Sequence, residues 1–179
     1  MAAKPLPTTL RQGLSYRIYK PDWSNPGDTS YSKLHGGRWN PPGEFGALYL
    51  NATLAVAAAQ ARRQHAGRAI KLFDLRPDRR PMLATFDLPK TLLVDAVDPI
   101  ALRALGFTTH FPYDVPWEPC RRIAQRAYRA AGVATRSNAE VTPTSFVGEE
   151  LALFDSHPLP PMIGTGKPFA AWYPDPIPD

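Results

Sequence analysis

Proline does most to limit what this chain can become. Twenty-one of its 179 residues are proline, well above the usual share of about 5%. Each one locks φ and removes a backbone donor, so long helices and long central strands are interrupted again and again. A helical bundle is disfavoured on that ground, and short elements joined by rigid turns are expected instead. The chain is nonetheless made to fold. Its hydrophobic share of 44% and charged share of 21% set it apart from disordered, coiled-coil and collagen-like sequences. The length suits one ordinary domain with a core of its own and is short for two.

A single cysteine, Cys120, cannot form an internal disulfide or a cysteine-based metal site, so a reducing, cytoplasmic setting is expected. The histidines at 35, 65, 110 and 157 stand at no ligand spacing to one another, and no metal is expected. Residues 1–14 hold no apolar stretch of signal-peptide type, and no run of about 18 apolar residues occurs, so no membrane span is expected. The net charge of +5 suits an anionic partner or simply keeps the protein soluble. Arginines crowd 62–80 and 121–129 without the aromatic-studded strands that stack bases, and they read as solvated helix faces rather than a nucleic-acid surface.

Along the chain, residues 1–13 read as a flexible tail and 14–157 as the folded domain. Residues 158–179 read as a proline-rich tail that packs on the surface without forming elements. Within the domain, Leu14 to Tyr19 alternates like a half-buried strand. A long loop covers 22–37, and a rigid turn, Gly36-Gly37-Arg38-Trp39-Asn40-Pro41-Pro42-Gly43, leads into the strand Ala47 to Leu50. Asn51 and Thr53 can each cap the alanine-rich helix that follows, to His65. Strands are expected at 69–74, 82–86, 92–94, 133–136 and 151–154, with helices at 99–105 and 118–132.

The glycine-rich turn is followed by two prolines and a strand, so it is neither a Walker loop nor a dinucleotide fingerprint. Arg38 must act through its side chain, by bidentate contact with phosphate or carboxylate; taken alone, the run is equally a structural turn with Arg38 stacked on an aromatic. Cys120, beside Arg121 and Arg122, is a candidate for a lowered thiol pKa, although a lone buried cysteine is the commoner case.

The order of Tyr16-Arg17, the Gly36–Gly43 turn, Ala47-Leu48-Tyr49-Leu50 and the helix holding Gln60 resembles the RES-domain family, the toxins of bacterial Xre–RES toxin–antitoxin modules. The match is closest over Tyr16 to His65. The resemblance implies an α+β domain similar to the diphtheria-type ADP-ribosyltransferases, with two small β-sheets around a cleft and flanking helices. It implies an enzyme that consumes NAD as substrate by cleaving the nicotinamide–ribose bond, as glycohydrolase, phosphorylase or ADP-ribosyl transferase. The acceptor would be water, inorganic phosphate or a protein. An Xre-type antitoxin is the implied partner. By the same resemblance Arg17 and Arg38 grip the diphosphate, with Tyr16 beside Arg17, and Tyr49 meets the nicotinamide riboside end. The family serine falls on Ser137 by preference, or on the position after Trp117, which is Glu118.

The family's catalytic glutamate stands as far beyond the tyrosine as the tyrosine stands beyond the arginine, and that position is Gln60. Bond cleavage passes through an oxocarbenium-like state, which a nearby negative charge stabilises. Glutamine still accepts a hydrogen bond from a ribose hydroxyl but carries no charge. Three accounts stand side by side: another carboxylate such as Glu118 has taken the role, the chain is a degenerate member, or the residue is a deliberate Glu→Gln change. The competing classes are a non-enzymatic NAD or nucleotide-binding module and a basic nucleic-acid-binding protein.

Overall fold

The computed structural model describes residues 5–113, 115–139, 141–142, 145–146 and 148–174. In chain order it contains β1 (Thr8–Tyr19), α1 (Ser30–His35), β2 (Ala47–Asn51), α2 (Leu54–His65), β3 (Met82–Ala96), α3 (Pro99–Leu105), α4 (Trp117–Ala127), β4 (Gly132–Arg136), β5 (Val141–Thr142), β6 (Ser145–Phe146), β7 (Glu149–Phe154), β8 (Met162–Lys167) and α5 (Phe169–Trp172). The α+β class is as expected, but the sheet arrangement is not. Six strands form one sheet in the order β1-β2-β7-β4-β3-β8, and β3 also pairs with β1. Five strands therefore close on themselves into a small barrel, with β8 added on the other edge of β3. The expectation of two small sheets is corrected: the second sheet is only the β5–β6 pair.

Strand periodicity sorts the side chains. Leu48, Leu50, Phe86, Leu93, Ala134, Leu151 and Leu153 pack together inside the barrel. Residues at the alternate positions face outward. At one end of that outer face they are covered by α3, α4 and the Trp39 turn, in a second core with Trp39, Phe107, Phe111, Ile123 and Phe154. The ring is weakest between β1 and β2, which meet at one register pair, Tyr16↔Asn51, supplemented by Asn51 Nδ2 donating to the Tyr16 carbonyl at 3.1 Å. Below that pair the two strands diverge, and α2 bridges them with its alanines.

The capped elements match the sequence closely. Thr53 Oγ1 accepts the Val56 N–H, Asp98 caps α3 and Gly106 ends it in the left-handed conformation at φ 87°. The long-range pairings do not match. Residues 8–13, expected in a tail, are the first half of β1, paired with β3 from Thr8↔Val94 onward. The two strands expected at 82–86 and 92–94 are one, β3. Residues 69–74 form turns rather than a strand, because Arg80 donates to the carbonyls of Phe73 and Leu75 and folds the segment back. The helix Ser30–His35 lies within the expected loop. The 158–179 tail also differs: β8 pairs with β3, and Phe169, Trp172 and Tyr173 bury their rings against Ala57, Ala58 and Ala61 of α2. Such burial stabilises by about 1.5–3 kcal/mol per large side chain, and alanines on α2 leave room for it.

Candidate active site

The turn before β2 is bolted in place by β2 itself. Tyr49 Oη accepts the Trp39 N–H at 2.9 Å and donates to Asn40 Oδ1 at 2.8 Å. Asn40 Nδ2 donates to the carbonyls of Ser32 and Phe45 at 2.6 and 3.0 Å. A methyl group at Gly37 would collide with Tyr49 Oη and Asn40 Oδ1, so the position requires glycine even though its φ does not. Arg121 donates to the Gly37 carbonyl at 2.9 Å. Arg38 reaches the Pro112 carbonyl and lies 5.8 Å from the Phe111 ring centroid, so it is indeed stacked on an aromatic. Burial pushes the Tyr49 phenol well above its ordinary range. With the hydroxyl committed in both directions, Tyr49 offers a ring, not a donor, to its surroundings.

Where β1 and β2 diverge there is a cleft of about 280 Å³, lined by Arg17, Trp23, Tyr49, Asn51, Gln60 and Glu150 among others. Arg17 Nη1 donates to the carbonyls of Pro26 and Asp28 at 2.6 and 3.3 Å, and its guanidinium lies 5.5 Å from the Trp23 ring centroid. It fastens the 20–28 loop beside the cleft. Burial lowers its pKa, and Asp28 opposes that shift.

Glu150 forms the inner wall. On β7 it stands opposite Asn51 of β2 and Thr135 of β4, so its side chain shares their outward face. Gln60 Nε2 donates to Glu150 Oε1 at 2.5 Å, and the Ser137 hydroxyl makes a second hydrogen bond to the carboxylate. Ser137 is itself fully buried, held by its N–H to the Gly148 carbonyl and by accepting the Ala139 N–H. Burial pushes the Glu150 carboxyl above the usual carboxylate range; Ser137, Gln60, Arg38 and Arg63 pull the other way. A second space of about 40 Å³ lies behind Glu150 and Tyr49, lined also by Arg38, Trp39, Thr135 and Asn138. Among the described residues, Trp39 Nε1 and Thr135 Oγ1 are buried without a hydrogen-bond partner.

The structure thus brings Arg17, Tyr49 and Gln60 to one cleft and sets Ser137 beneath its wall. Arg38 lies on the other side of Tyr49 and Glu150. Tyr16 does not join them: it lines neither space and packs against the cluster under α2 and α5. Glu118 is also elsewhere, on the first turn of α4 in an exposed pair with Arg122 at 3.2 Å. It can supply no charge to the cleft. The Cys120 thiol is buried, which pushes its pKa up to about 11, so the activated-thiol reading falls. Glu150 is the cleft residue that sequence reasoning missed. At the start of a strand that alternates afterwards, one acid of a Glu149-Glu150 doublet looks like solvent-facing polarity, and only its tertiary contact with Gln60 distinguishes it. Among the described residues no group of histidine, cysteine, aspartate and glutamate side chains is placed to hold a metal ion, and no helix is long and apolar enough to cross a membrane.

A family model described as RES domain matches residues 14–167. No curated protein sequence matches the chain significantly. Among solved structures, a chain of the crystal structure of the M. tuberculosis MbcT-MbcA toxin-antitoxin complex superposes with a TM-score of 0.68 at 21% identity, over 83% of this chain and 77% of that one. At that identity the likeness is one of fold.

Proposed function

Because the chain belongs to the RES-domain family, we propose that it is the toxin of a toxin–antitoxin module and that it consumes NAD by breaking the nicotinamide–ribose bond. The observation that carries this reading is the cleft at the β1/β2 seam. It gathers an arginine from β1, a tyrosine from β2, an amide from α2 and a carboxylate from β7, residues spread over more than a hundred positions. Arg17 suits the diphosphate. The Tyr49 ring and the Gln60 amide suit the nicotinamide riboside end, and a carboxylate suits the charge that develops on the ribose. The bonding pair leaves with the nicotinamide nitrogen. The ribose carbon is captured by an oxygen nucleophile, whether water, inorganic phosphate or a protein side chain, and its proton passes to solvent. The relationship to diphtheria-type ADP-ribosyltransferases belongs to this reading, as do a cytoplasmic setting and an Xre-type antitoxin as partner.

One observation favours a second reading: Gln60 is neutral where the family places its glutamate, which fits a module that binds NAD without turning it over. Incubating the protein with NAD and following both affinity and nicotinamide release separates the two. Release accompanied by growth arrest on induction is the expected result. Binding without release would favour the module, and failure to bind NAD would remove both.

A further inference from the structure

We infer that Glu150 is the carboxylate that acts on the ribose in this protein, the charge having moved from position 60 on α2 to position 150 on β7. The inference rests on the NAD-cleaving reading above and names the residue that makes it work. Gln60 and Glu150 are joined by a hydrogen bond in which the amide donates, so the carboxylate sits one hydrogen bond from the position to which the resemblance assigns the family's glutamate. The amide Oε1 of Gln60 is left to accept from a ribose hydroxyl. Glu150 lines both the cleft and the smaller space behind it, and its other partner, Ser137, is a fixed neutral donor. Its hydrogen-bond partners are neutral donors, which orient the carboxylate without cancelling its charge, while Arg38 and Arg63 favour the charged form through space.

The pair is also mutually exclusive in its chemistry. Carboxylates at both positions would stand at hydrogen-bond distance, and one of them would hold a proton at neutral pH. A neutral residue at 60 is therefore what a working carboxylate at 150 requires, and Gln60 is a complement to Glu150 rather than a loss. Glu150 acts electrostatically. It works in its ionised form and forms no bond to the ribose.

The test is a four-cornered comparison of the unmodified protein, Glu150→Gln, Gln60→Glu and the double exchange, each assayed for NAD affinity, nicotinamide release and the pH dependence of release. The unmodified protein is expected to release nicotinamide with an acid limb, rising as Glu150 ionises against the groups around it: Gln60 and Arg63 of α2, Tyr49 of β2, Arg38 of the turn and Ser137. Glu150→Gln should lose roughly 10²–10³ in turnover, with NAD affinity within a few-fold, which also reports that the variant is folded. Gln60→Glu should move the acid limb to higher pH, and the double exchange should recover part of what Glu150→Gln loses. Glu150→Gln with full turnover would overturn the inference. An inert unmodified protein that Gln60→Glu activates would also overturn it, while leaving the NAD-cleaving reading intact. If all four forms neither bind NAD nor release nicotinamide, that reading falls and takes the inference with it.

Discussion

The turn at 36–43 and the wall around Glu150 stand on opposite sides of the Tyr49 ring and are built on opposite principles. In the turn the Tyr49 hydroxyl and the Asn40 amide are paired in both directions, and the aromatic rings of Trp39, Phe107 and Phe111 are packed beneath. In the wall a carboxylate is held by neutral donors while burial works against its charge, and the Thr135 hydroxyl beside it has no partner. The first arrangement satisfies the Tyr49–Asn40 network, although Trp39 Nε1 beneath it is, like the Thr135 hydroxyl, buried without a partner. The second keeps a group poised at a cost to the fold, which is how functional sites commonly differ from their scaffolds. The difference implies that variants in the turn should act mainly on stability and variants in the wall mainly on turnover.

The largest break should come from Trp39→Ala. The ring is fully buried, and emptying such a site costs about 3–5 kcal/mol, to be read as a fall in the thermal or denaturant midpoint. Next is Arg17→Ala, which removes a charged donor from the cleft and should weaken NAD binding by the equivalent of about 1.5–3 kcal/mol, measured by titration. Arg38→Ala should weaken it less, because Arg38 lies behind Tyr49 rather than on the larger cleft; a larger loss for Arg38 would reverse the roles of the two spaces. Tyr49→Phe keeps the ring facing the cleft but strands the Trp39 N–H and Asn40 Oδ1. About 1–3 kcal/mol of stability should go, with turnover of the folded protein changing little. A large loss of turnover at unchanged stability would mean that the hydroxyl belongs to the chemistry.

How much of this was legible follows the same division. Local signals carried the turn, β2, α2 and α3, because proline, glycine and capping residues act on their own neighbours: Thr53, Asp98 and Gly106 do in space what their positions announce. Pairings between distant segments were not legible. Nothing near Thr8 indicates that its partner is Val94, and nothing near Met162 indicates β3, so both ends of the chain were read as tails and the closed ring as two sheets. The site divides likewise. Arg17, Tyr49 and Gln60 lie within one contiguous motif-bearing stretch that the sequence singles out, and the structure sets them on one cleft; Glu150, ninety positions from Gln60, carries no such local signal. Tyr16 comes with the Tyr-Arg pair that carries the family resemblance, yet its ring packs under α2 and α5 and lines neither space.

The finest test of the contrast is the pH dependence of stability. Burial holds the folded-state pKa of Glu150 above the ordinary carboxylate range, while in the unfolded chain the group titrates normally. Below the unfolded pKa both states hold the proton and Glu150 costs nothing. As pH rises from there, the unfolded chain releases its proton first, so the folded state loses relative stability until the folded pKa is passed, after which the cost is constant. Glu150→Gln removes this titration while keeping the size and an acceptor for Gln60 Nε2. The variant should therefore be somewhat more stable than the unmodified protein at neutral pH, with the gap closing as pH falls into the ordinary carboxylate range. Parallel denaturant titrations of the two forms at neutral and acidic pH measure that gap. A variant that is less stable at neutral pH would mean that the carboxylate is a net structural anchor, and the wall would then be built on the same principle as the turn.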